Sequence, residues 1–94
     1  MPFPRQTPKP FTRAAVLAFD PHQFGVYGLF RDSQWIYIGR GNIRAGLLDL
    51  LNGANSFVAR MHPTHWVSEV TTDLVQRQEQ LVREFKPTCN NTIA

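Results

Sequence analysis

The chain carries a single cysteine, Cys89, so it can neither close an internal disulfide nor build a thiolate zinc cluster by itself. A buried or idle thiol is the expectation. No apolar run approaches the roughly 20 residues needed to cross a bilayer, and the first residues lack the apolar core of a secretory signal. These absences predict a protein of the cytoplasm with no membrane partner. Charge is also scarce, at 18% of residues, and its excess is local. The net +3 is carried by Arg5, Lys9 and Arg13, because the seven basic and seven acidic residues from position 14 onward balance. A nucleic-acid role therefore needs a basic arm or a local patch rather than a global field. No internal repeat is visible.

What remains is the composition of an ordinary globular domain, 43% apolar and 12% aromatic over 94 residues, which is enough for one core and too short for two. Residues 1–13 hold Pro2, Pro4, Pro8 and Pro10 among the three extra cations. Proline removes backbone donors, so this stretch reads as a flexible arm, able at most to track a phosphate backbone, ahead of a domain spanning 14–94. Ala14 to Phe19 packs as a strand or as a helical turn. Gly25 to Phe30 and Trp35 to Gly39 are β-branched and aromatic runs around a polar Arg31–Gln34 turn, which is the pattern of a hairpin. Simple alternation puts Tyr27 with Leu29, and Tyr37 with Trp35 and Gly39.

Asn42 is a good N-cap for a helix from Ile43 to about Leu51, its inward stripe being Ile43, Leu47, Leu50 and Leu51. A shorter helix over 54–61 would turn Phe57, Val58 and Met61 inward, and Trp66 to Val70 alternates as a third strand. Asp73 to Phe85 has Leu74, Val75, Leu81, Val82 and Phe85 at helical spacing and ends at Lys86-Pro87. The order hairpin, helix, strand, helix predicts an α+β domain with a three-stranded sheet flanked by helices.

Gly25-Val26-Tyr27 and Tyr37-Ile38-Gly39 bring two phenols together across the hairpin, and the pattern continues through Asn42-Ile43-Arg44 and Leu81 to Pro87 as far as Asn90. In these residues the chain resembles the GIY-YIG nuclease family over roughly positions 20–90. The resemblance implies a small antiparallel sheet and hydrolysis of DNA phosphodiesters with a divalent metal, Mg²⁺ or Mn²⁺. It assigns Tyr27 to activation of the attacking water, Tyr37 to orientation and Asn90 to closing the site. Two family positions differ. Gly46 stands where an arginine steadies the phosphate, and Gln78 where a glutamate binds the metal. Arg44 and Arg40, at the start of the helix, are then the phosphate contacts, joined by Lys86, and Glu79 is the nearest carboxylate for a metal. Glu79 is rotated about 100° from Gln78 around the helix.

Read this way, the chain is a nuclease-type domain with weakened or lost hydrolysis. The alternative is a non-catalytic module on the same fold that binds nucleic acid or a protein partner. The free N–H groups of the helix at Asn42 would attract phosphate in either case. The spacing of His62 and His65, in a loop, suits neither a metal site nor proton transfer. Trp35 and Trp66 read as core residues rather than base-stacking platforms, and Gln78 as a polar core residue bonded to a tyrosine.

Overall fold

The computed structural model describes residues 2–90. Four antiparallel strands form one sheet: β1 (Lys9–Pro10), β2 (Phe24–Arg31), β3 (Gln34–Asn42) and β4 (His65–Val70), in the order β1-β4-β2-β3. The expected sheet had three strands. The fourth comes from the proline-rich segment, where Lys9 and Pro10 pair with Trp66 and His65. Proline is tolerated there because β1 is an edge strand with one side unpaired.

The rest of that segment, expected to be a flexible arm, lies along the sheet. Gln6 both accepts from the Ser68 backbone N–H (3.0 Å) and donates to its carbonyl (2.8 Å), standing in for a strand residue. Phe3 stacks on Trp35 with ring centroids 5.7 Å apart. The Lys9 ammonium sits 5.2 Å from the centre of the Trp66 ring, so one of the three surplus cations is already engaged. Prolines lower the entropy lost on docking such a strap, because φ is fixed before it docks.

Helices cover both faces of the sheet. One face receives α1 (Arg13–Leu17), α2 (Ile43–Leu51) and α3 (Ser56–Met61), and the other α4 (Leu74–Phe85). Of the strand and helix readings of Ala14 to Phe19, the structure shows helix, ending at Leu17 and capped by the Thr12 side chain on the Ala15 N–H. The core under α1–α3 includes Val16, Leu29, Ile43, Leu47, Val58 and Trp66; the smaller core under α4 joins Val26, Ile38 and Leu81 to Phe3, Val82 and Phe85. Phe57 and Val75, expected inward, are exposed. Both are the second residue of their helix, in the first turn. Cys89, in a 3-10 turn over Thr88–Asn90, is buried as expected. No helix among the described residues is long and apolar enough to cross a membrane.

The hairpin register departs from simple alternation at one point. Leu29 pairs with Tyr37 but Phe30 pairs with Trp35, leaving Ile36 as the extra residue of a β-bulge. Ile36 and Tyr37 both join the larger core, while Trp35 moves to the α4 face and packs on Phe85 at 4.5 Å. Trp35 and Tyr37 therefore do not share a face. The turn itself is closed by Asp32 in the left-handed region, φ 54°, which aspartate tolerates better than most residues.

Candidate functional site

Tyr27 and Tyr37 lie on the α2 side of the sheet as diagonal neighbours, since Tyr27 pairs with Gly39 and Tyr37 with Leu29. Tyr27 is nearly enclosed, 5% exposed, while Tyr37 is half-buried. The Tyr27 ring fits because two neighbouring residues have no side chain. A Cβ on Gly39 would stand 2.5 Å from Tyr27 Cζ, and one on Gly46 would collide with Tyr27 Oη and lie 2.7 Å from Cζ. Gly46 is thus more than a missing arginine: the phenol fills the space through which any side chain at that position would leave the helix. Burial, then the neighbouring Tyr37, then Asp49, push the Tyr27 phenol up to about 12. Such a phenol stays protonated at neutral pH and is a poor acceptor for a water's proton.

The start of α2 is also less open than its sequence implies. Asn42 Oδ1 accepts from the Ala45 N–H at 2.9 Å and its Nδ2 donates to the Pro21 carbonyl at 2.8 Å, while the Ile43 N–H is taken by the Gln23 carbonyl at 3.1 Å. Those groups are not free to hold an anion. Arg44 is half-buried and lies near Asp20, whose carboxyl it helps hold low behind the larger effects of the His22 N–H and the Gln23 amide.

The remaining expected residues gather at the outer edge of β3, against α4. Asn90 closes this edge as a strand would: its Oδ1 accepts from the Ile38 N–H at 2.7 Å and its Nδ2 donates to the Ile38 carbonyl at 2.9 Å. Gln78 donates from Nε2 to the same carbonyl at 2.9 Å, and its Oε1 accepts from Arg40 Nη1. Gln78 is therefore bonded to strand backbone and an arginine rather than to a tyrosine. Arg40, Gln78, Glu79, Val82, Arg83 and Asn90 line a concavity of about 370 Å³. A second of about 390 Å³ shares Val82 and Asn90 with it and adds Lys86.

No family model, no curated protein and no solved structure matches the chain.

The site's donor set does not suit the divalent metal that the resemblance implies. Gln78 is a neutral amide whose oxygen is occupied by a guanidinium, and Glu79 is the one carboxylate in the lining. Among the described residues no three potential His, Cys, Asp or Glu ligands come together. A hard dication wants several anionic oxygens, and a fixed guanidinium beside them opposes it. Glu79 is exposed, as its rotation from Gln78 predicts. The expected constellation is thus divided by the sheet, with the tyrosines on one face and Arg40, Gln78 and Asn90 at the edge and on the other. Arg83 was missed from sequence. The signal was available, because residues 79 and 83 stand at i and i+4 on one face of α4, and Lys86 caps the same helix.

Proposed function

We propose that this is a GIY-YIG-like domain that no longer hydrolyses phosphodiesters and serves as a nucleic-acid-binding module. The observation carrying this reading is the contact of Tyr27 with Gly46, which leaves no room for the arginine of a hydrolytic site. Two further features support it. The Tyr27 phenol is pushed up to about 12, and the residue at the metal position gives its oxygen to Arg40. Loss of the arginine and loss of the metal-binding carboxylate each remove a contribution of several kcal/mol to phosphoryl chemistry. The cations Arg40, Arg83 and Lys86 survive on one side as phosphate contacts.

Incubation with linear, nicked and branched DNA in Mg²⁺ or Mn²⁺ is expected to leave the strands intact, while a labelled fragment is bound at low salt. Cleavage that disappears in Tyr27→Phe would establish a working nuclease instead. Absence of binding to any nucleic acid at low salt would point to a protein partner.

A further inference from the structure

We propose that the Arg40 guanidinium takes the place of a metal ion in the groove between β3 and α4, making it a metal-independent site for the phosphodiester backbone of nucleic acid. This inference rests on the nucleic-acid reading above but makes a separate claim about how phosphate is held.

Arg40 is an exposed side chain with an unusual support. Its Nη1 donates to Gln78 Oε1, Gln78 Nε2 is in turn tied to the Ile38 carbonyl, and Asn90 clamps the N–H and carbonyl of Ile38. Strand, helix and terminal turn thus hold one guanidinium in position. A guanidinium has five N–H donors, and Gln78 is its only hydrogen-bond partner among the described residues, so most of the fork is available. Fixing it beforehand lowers the entropy lost when an anion arrives.

The lining charges indicate which anion. Arg40 and Arg83 oppose the single Glu79, and Lys86 stands in the adjoining concavity. Among the described residues neither Arg83 nor Lys86 is held in an ion pair. The small positive excess suits a diester with one charge per phosphate, and the two joined concavities provide for successive phosphates along a strand. A glutamine serves this arrangement better than a glutamate. An amide orients Arg40 without neutralising it, whereas a carboxylate would close an ion pair and repel the phosphate.

The test is fluorescence anisotropy of a labelled DNA fragment with the full chain, in EDTA and in Mg²⁺, for the native protein, Arg40→Ala and Gln78→Glu, with folding checked by circular dichroism. The expected result is the same affinity in EDTA and Mg²⁺, and a loss of roughly tenfold in Arg40→Ala. Gln78→Glu is expected to weaken binding several-fold, with no gain on adding Mg²⁺. Inorganic phosphate is expected to compete only weakly; strong competition would overturn the diester assignment in favour of a free phosphate ligand. Binding abolished by EDTA, or rescued in Gln78→Glu by Mg²⁺, would restore the metal and overturn the proposal. Binding that persists unchanged in Arg40→Ala would overturn it while leaving the nucleic-acid reading intact. No binding by the native chain would remove both.

Discussion

Tyr27 shows how one buried side chain governs its surroundings. Two glycines on different elements accommodate its ring, so substitution at either is a packing problem first. Gly46→Ala gains up to about 1 kcal/mol of helix propensity, yet forcing a methyl into a filled site typically costs about 1–3 kcal/mol. The expected net is destabilisation in urea melts, larger for Gly46→Arg. Tyr27→Phe should relieve only part of it, since Cζ remains 2.7 Å from the new Cβ. Full recovery in that double mutant would show that the hydroxyl alone was the obstacle.

The same phenol predicts a response to alkali. Its folded value of about 12 lies above the ordinary 10.0, so folding favours the neutral form. That contribution, at most about 2–3 kcal/mol, is complete below pH 10 and is lost as pH rises towards 12. Thermal melts should therefore fall more steeply over that range in the native protein than in Tyr27→Phe. Equal slopes would mean that Tyr27 ionises as readily folded as unfolded.

Among the elements, the two least regular pieces of chain finish the sheet. Asn90 supplies the pair of hydrogen bonds that a fifth strand would otherwise make to Ile38, and it also steadies the carbonyl that holds Gln78. Asn90→Ala should cost about 1–3 kcal/mol, because the Ile38 N–H loses its acceptor. Hydrogen exchange at Ile38 is the direct readout, and native protection there would mean that another group replaces the amide. The N-terminal strap is anchored by Phe3, which packs against both Trp35 and Phe85. Phe3→Ala should lower stability by about 1–3 kcal/mol and alter Trp35 fluorescence, whereas an undocked strap would leave both unchanged.

At the scale of the molecule, the sheet separates two chemistries. Its α2 side has become tightly packed around Tyr27, and its α4 side leaves cations at an open groove. Three of them, Arg40, Arg83 and Lys86, line it and the concavity that adjoins it. If they carry the binding, log K should fall against log salt with a slope of about −2 to −3. A markedly steeper slope would bring in Arg5 of the strap and Arg13 at the start of α1.

Much of this was readable along the chain. The hairpin, the Asn42 cap, the stripe of α2 and the long helix before Lys86-Pro87 all follow from side-chain period and local hydrogen bonding, which act over a few residues. Tertiary structure decided the rest. A strap of prolines reads as disorder until Gln6 and Phe3 find partners some sixty and thirty residues away. A bulge at Ile36 turns Trp35 to the other face without any mark in the local pattern. The space at Gly46 and the grip of Gln78 on Arg40 exist only once strand and helix meet, because steric exclusion and hydrogen-bond partnership belong to pairs of residues brought together by the fold.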